Sequence, residues 1–204
     1  MLIVLADAEL ELVPEEMMRD ELIRAIGRKE GKKDLLLDNF TMRKSIKKHF
    51  PGQEGRVGFP HISYLFLRMN EESLLNDYME LDYAIHTKGN IIIEKRDLEG
   101  MGAGYEEFKR RMEEILEQGR KRMSLLEYLN FRGVEGNTVV LHPGGNEGLL
   151  VNDRLNYVIG GFPEGDFSSD LGSMRKFSIY GREATVPGIV EILHFKLYRL
   201  LPHP

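Results

Sequence analysis

The 204-residue sequence contains no cysteine and no tryptophan. Without thiols there is no disulfide framework, no Cys-ligated zinc or iron–sulfur centre and no cysteine nucleophile. Long apolar runs are missing too. The most continuous, Met1–Ala6 (MLIVLA), falls far below the roughly 20 residues of a membrane helix. It also lacks the basic leader and length of a secretion signal, so a cytoplasmic location without a membrane partner is expected. No GxxxxGK[ST] stretch occurs, which removes a P-loop, and no G-x-S-x-G elbow supports hydrolase chemistry. The histidines never fall in HExxH spacing, so no metal site is expected. His61 and His86 lie in apolar segments and read best as satisfied core histidines.

What remains is a charged chain of ordinary globular balance, with 42% hydrophobic and 30% charged residues. At about 150 residues per domain, this length suits one domain, 1–204, that carries an insertion. The net charge of −5 argues against a general polycation, but its distribution is uneven. Residues 24–48 hold nine basic side chains against Glu30, Asp34 and Asp38, whereas Arg154 is the only Lys or Arg in residues 135–170. This asymmetry permits a phosphate-binding face beside a different pocket, or simply a solvated surface.

Strand and helix signals alternate along the chain. Met1–Ala6 reads as a strand buried on both faces, followed by a helix starting at Pro14 and stopped by Gly27. Leu35–Leu37 reads as a second buried strand and Thr41–His49 as a basic helix. Phe59–Met69 reads as strand running into helix. Tyr83–Thr87 and Ile91–Lys95 flank Lys88-Gly89-Asn90 as a hairpin. Tyr105–Gln118 is an amphipathic helix, and Ser124 with Glu127 has capping-box spacing for another. Strands at Thr138–Leu141, Tyr157–Ile159 and Lys176–Tyr180 each deliver the chain into a glycine-bearing loop, and an apolar helix opens at Pro187. The expected class is α/β, with a mainly parallel sheet, helices on both faces and a small inserted hairpin. Glycine-bearing loops at strand ends suit either a ligand site or ordinary tight turns. Gly100-Met-Gly-Ala-Gly104 is no dinucleotide fingerprint, because charged residues rather than a buried strand precede it.

The succession Val158-Ile-Gly-Gly-Phe-Pro-Glu-Gly165, Ser178-Ile-Tyr180 and the terminal helix, with Ala6–Glu16, Leu36-Leu-Asp38, His61-Ile-Ser63 and Ile85-His-Thr87 upstream, carries a resemblance. In this order, over almost the whole chain, these stretches resemble the ribosome-biogenesis small-subunit rRNA pseudouridine-N1-methyltransferases (Nep/Emg type) of the SPOUT superfamily. The resemblance implies a trefoil-knotted α/β fold with a family-specific insertion at about 52–104. It implies a homodimer and S-adenosylmethionine as cofactor. By motif, the cofactor would be held by Leu141, Gly160, Gly161, Gly165, Phe177, Ser178, Ile179, Tyr180, Gly181, Arg182, Ala184 and Thr185.

The implied partners are small-subunit rRNA and ribosomal proteins of that subunit. The family's Arg-Pro-Asp-Ile signature reads Arg56-Val-Gly-Phe59 here, so Arg56 is the RNA-binding and catalytic candidate, while Gly58 replaces the aspartate expected to orient it. Three further family arginines fall on Gly100, Ala103 and Glu107. Arg96, Lys109 and Arg110 are the substitute phosphate contacts, beside the 24–48 cluster. Asp38 is the candidate base for the N1 proton, the alternative being an aspartate that leads a helix. Two other outcomes remain open: a non-catalytic rRNA-binding assembly factor, or a SPOUT methyltransferase acting on tRNA.

Overall fold

The structure, a computed structural model, describes residues 1–31, 35–120, 122–147 and 151–201. Lys32 and Lys33 of the basic cluster, and Gly148 of the first glycine-bearing loop, lie outside the described residues.

One six-stranded sheet organises the chain: β1 (Leu2–Ala8), β2 (Asp82–Thr87), β3 (Ile92–Glu94), β4 (Thr138–Asn146), β5 (Asn156–Gly160) and β6 (Arg175–Phe177), in the order β3-β2-β1-β5-β4-β6. All neighbours are parallel except β2 and β3, which form the expected hairpin. The hairpin turn places Asn90 at φ 62°, a left-handed conformation that asparagine tolerates. Side chains alternate across the sheet as the strand pleat requires. Ile3 and Leu5 face α3 (Pro60–Glu71), α4 (Tyr105–Glu117) and α6 (Val186–Tyr198). Leu2, Val4 and Ala6 face α5 (Leu125–Phe131) on the opposite side. Helices therefore cover both faces. A third cluster packs α1 (Glu21–Glu30) and α2 (Asn39–His49) around Leu35 and Leu37. Residues 52–104 supply α3, β2 and β3 to the same sheet and core. Among the described residues, no helix is long and apolar enough to cross a membrane.

Four local expectations need correction. The helix expected from Pro14 starts only at Glu21, because Pro14–Arg19 forms a turn and a short 3-10 segment, and Asp20 is extended. Asp20 gives no side-chain cap to α1, since Lys48 and His49 occupy its carboxylate. Gly27 is buried inside α1, and Gly31 at φ 67° ends the helix. Leu35–Leu37 is buried but joins no sheet strand; its backbone pairs with the 11–13 segment through an antiparallel bridge of Leu36 with Leu12, and the Leu36 amide donates to Glu113 Oε1 at 3.0 Å. Phe59–Met69 is helix throughout from Pro60, whose missing N–H costs nothing at the first helical position. Finally, β4 runs past Leu141 to Asn146, bulging so that both residues register with Phe177.

The α3–α6 junction carries a pH prediction. Asn70 spends its amide N–H on the Phe66 carbonyl, so its Oδ1 accepts from His194 Nε2 at 3.2 Å while Ser73 Oγ meets Nδ1 at 3.2 Å. Burial pushes the His194 imidazole down to about 4. The unfolded chain then binds the extra proton first. The stabilisation is complete above about pH 6.5 and is lost as pH falls towards 4, a total of about 3 kcal/mol. Urea unfolding at pH 7.5 and 4.5 should show this loss, and His194→Gln should flatten it. Equal acid sensitivity in the variant would remove His194 as the cause.

Candidate active site

Chain order reverses direction across the sheet at β1: β2 lies to one side, β5, β4 and β6 to the other. Open α/β sheets bind ligands beyond their carboxyl strand ends near such a switch point. A cleft of about 740 Å³ opens there, walled by the segments leaving β4, β5 and β6 and by the first turns of α3 and α6. Of the residues expected to hold a cofactor, Leu141, Gly160, Gly165, Ser178, Ile179, Tyr180, Arg182, Ala184 and Thr185 line this cleft. Gly161, Phe177 and Gly181 stand next to lining residues rather than in the wall itself.

The β5 exit explains the double glycine. Gly161 N–H donates to the Ala6 carbonyl at 2.6 Å, pressing the turn onto the end of β1. A Cβ at Gly161 would lie 2.8 Å from Ala8 Cα and 2.9 Å from Leu5 Cγ, so only glycine fits. Across β1, Asp7 holds the rest of this loop. Its buried carboxylate accepts from the Ser168 and Ser169 amides at 2.7 and 3.0 Å and from the Ser169 hydroxyl at 2.6 Å. The Asp7 amide points at His86 Nδ1, 3.5 Å away, and His86 Nε2 meets Asn90 Oδ1 at 3.0 Å. His86 is thus the satisfied core histidine expected, held neutral by burial. Asp7→Asn would replace the charged acceptor of two backbone amides with a neutral carbonyl oxygen and turn an N–H toward the Ser169 hydroxyl, which must then reverse its role. It should cost about 2 kcal/mol in urea unfolding and weaken ligand binding to the cleft, read by calorimetry. Wild-type values for both would detach Asp7 from the loop's placement.

His61 departs from its expectation. Its ring lines the cleft between Phe40 and Phe59, and its buried Nδ1 has no hydrogen-bond partner. Burial lowers its affinity for a proton, partly offset by the Asp38 charge. Sequence reasoning also missed Phe162, Phe167, Glu164, Asp166 and Glu183 in the wall; only the glycines around the first four marked the loop. The carboxylates outnumber Arg182, and the Phe167 amide, with help from His142, holds the Asp166 carboxyl below the usual range. The wall is aromatic and acidic, a surface that suits a ligand carrying positive charge.

The remaining candidates separate. Arg56 stands at the rim: its guanidinium lies 4.8 Å over the Phe162 ring and donates to the Asp166 carbonyl at 3.3 Å. Asp38 is buried and absent from the wall. It caps α2 by accepting from the Phe40 amide at 2.9 Å, and the Tyr105 hydroxyl donates to it at 3.2 Å. Lys109 is buried, paired with Glu106 at 2.9 Å and lying over Tyr105. Arg96 is exposed but paired with Glu94, and Arg110 is exposed with no ion pair among the described residues. At the lost arginine positions, Gly100 takes φ 75°, the Ala103 carbonyl accepts from Tyr64, and Glu107 caps α4. Among the described residues no group of His, Asp or Glu could hold a metal ion.

The fold is similar to that of Archaeoglobus fulgidus Nep1, solved bound to S-adenosylhomocysteine, with a TM-score of 0.81 and 21% identity over 98% of this chain and 97% of that one. Curated relatives are nearer in sequence. The ribosomal RNA small subunit methyltransferase Nep1 of Thermoplasma acidophilum is 34% identical over 201 residues, covering 90% of each chain. Its counterpart from Pyrobaculum calidifontis is 33% identical over 203 residues, covering 90% of this chain and 87% of its own. A family model described as EMG1/NEP1 methyltransferase matches residues 3–194, and with that span the chain belongs to the EMG1/NEP1 methyltransferase family.

Proposed function

We infer that the protein is an S-adenosylmethionine-dependent methyltransferase of small-subunit rRNA that acts on N1 of a pseudouridine during subunit assembly. The observation that carries this reading is the cleft itself. Three strand ends bring backbone amides and carbonyls together with aromatic faces and carboxylates, in a cavity of about 740 Å³. That lining fits the donor's chemistry: backbone edges for a planar base, aromatic faces and acids for a sulfonium and an ammonium. When bound, S-adenosylmethionine supplies an already activated methyl group.

The chain's own task is then alignment. The Gly160–Asp166 and Ser178–Thr185 segments hold the donor, with Leu141 beneath, while Gly161, Phe177 and Gly181 shape the turns behind. The target N1 must approach to about 3–3.5 Å in line with the transferred methyl, which requires the base to leave its stack. Arg56 at the rim contacts the RNA and offsets charge developing on the base. Asp38 lies outside the wall and acts on the N1 proton through its charge, which reaches His61, the titratable ring that lines the cleft. Basic side chains of α1 and α2, with Arg96 and Arg110, extend the RNA face; Lys109 is too enclosed to add much.

We read 1–204 as one domain with 52–104 as an insertion, working in the cytoplasm as a homodimer. One face of α6 packs on the core, while Phe195 and Leu200 stand 61% and 57% exposed just beside it, an apolar surface that a second copy would cover. Labelled methyl donor with a pseudouridine-containing small-subunit rRNA hairpin tests the activity. Incorporation into that hairpin, but not its uridine counterpart, is expected. The absence of cations at 100, 103 and 107 favours one second reading, an rRNA-binding assembly factor. Bound but unmodified RNA would establish it, and labelling of the tRNA pool alone would redirect the substrate.

A further inference from the structure

Glu9, just past the end of β1, is an anomalous charge. Its side chain is wholly buried, and neither carboxylate oxygen has a hydrogen-bond partner. Two cations flank it on opposite oxygens: Arg56 Nε lies 3.8 Å from Oε1 and Lys88 Nζ 3.5 Å from Oε2. Arg56 Nε is itself buried and unpartnered. Burial pushes the Glu9 carboxyl up to about 7, against the opposing pull of Lys88 and Arg56. A group in this state opposes folding as pH rises through 7, so packing alone gives no reason to keep it.

Its neighbours are fixed by backbone. The Lys88 amide donates to the Ala8 carbonyl at 3.1 Å, locking the β2–β3 turn against the residue preceding Glu9. Arg56 is confined by the Phe162 ring and by Gly165, where a Cβ would lie 2.7 Å from Nη1. The side chains of Arg56 and Lys88 remain 29% and 37% exposed. Glu164 and Asp166 make the neighbouring rim acidic, so this pair is where a polyanion can descend to the cleft.

We propose that Arg56 and Lys88, anchored on the two oxygens of Glu9, form a two-cation site for an RNA backbone phosphate at the cleft rim, with Glu9 as the positioning residue. The carboxylate missing at Gly58 is thereby supplied from the end of β1. With Nε toward Glu9 and Nη1 on the Asp166 carbonyl, Arg56 has Nη2 left for a phosphate, and the partly exposed Lys88 Nζ adds the second charge. This inference rests on the rRNA-substrate reading above.

The test titrates the pseudouridine-containing hairpin against the full-length protein at pH 8 by fluorescence anisotropy over a salt series. Methyl-donor affinity is measured in parallel by calorimetry. Lys88→Gln should bind RNA about tenfold more weakly, with the log–log salt slope reduced by about 0.7–0.9 and donor affinity unchanged. Lys88→Arg should restore binding. Glu9→Gln separates positioning from structure: it should raise the melting temperature at pH 8 yet raise the KM for RNA several-fold. Simple charge removal would instead tighten RNA binding. An unchanged slope for Lys88→Gln, or tighter binding by Glu9→Gln, would overturn the proposal. Wild-type protein that binds the donor but no RNA would overturn the substrate reading first, and this inference with it.

Discussion

Arg56→Ala is expected to lower methylation of the rRNA hairpin about 100-fold while leaving the methyl-donor dissociation constant within about twofold. The first figure follows from removing a charge-assisted contact to the RNA at the rim, worth up to about 3 kcal/mol. The second follows from placement. Arg56 touches the cleft from outside, through the far face of Phe162 and the Asp166 carbonyl, and is not itself part of the wall. Arg56→Lys should recover only part of the loss, since an ammonium cannot reproduce a planar fork lying over an aromatic ring. Single-turnover kinetics with calorimetry reads both quantities. Loss of donor binding in either variant would collapse the two sites into one.

Gly161→Ala should produce the converse pattern, with donor affinity falling at least tenfold and stability by about 1–3 kcal/mol. The added methyl meets backbone at Ala8, a neighbour that cannot rotate away, and must break or lengthen the 2.6 Å bond to Ala6. The turn leaving β5 would then lift away from β1, carrying Gly160 and Gly165 out of the wall. Calorimetry and urea unfolding measure the two effects. Wild-type donor affinity would show that the turn adapts and that the close approach to β1 does not set the cleft.

The parts of this architecture that local chemistry dictates were readable in advance. A near-continuous apolar run needs only the order of residues, so Met1–Ala6, Thr138–Leu141 and Tyr157–Ile159 are recognisable as strands, whereas the strand expected at Lys176–Tyr180 forms only over Arg175–Phe177. Ser124 with Glu127 specified a helix start that forms as expected, with reciprocal side-chain and backbone bonds. Asn90 likewise marked its turn. Long-range placement was not readable. Leu35–Leu37 has strand composition yet forms no sheet strand: its backbone pairs with the 11–13 segment and the Leu36 amide donates to the distant Glu113. His61 looked like a core residue because apolar neighbours surround it; its exposure to the cleft depends on where α3 begins. Glu9 sits among alternating acids that suggest solvent. Only the pairing of β1 with both β2 and β5 buries it, and only the meeting of three distant segments gives it Arg56 and Lys88.

The central place of β1 also governs how the chain can be made. Once made, β1 must wait for residues 82–87 to cover one side and for residues 156–160 to cover the other. Its Leu2 amide is finally satisfied by a side chain 154 positions later, at Asn156. Contacts this distant in sequence make folding slow and leave an apolar strand edge open until residues 156–160 emerge. Nascent chains truncated before β5 should therefore be held by chaperones, and the cleft can assemble only after the segments leaving β5 and β6 have been made.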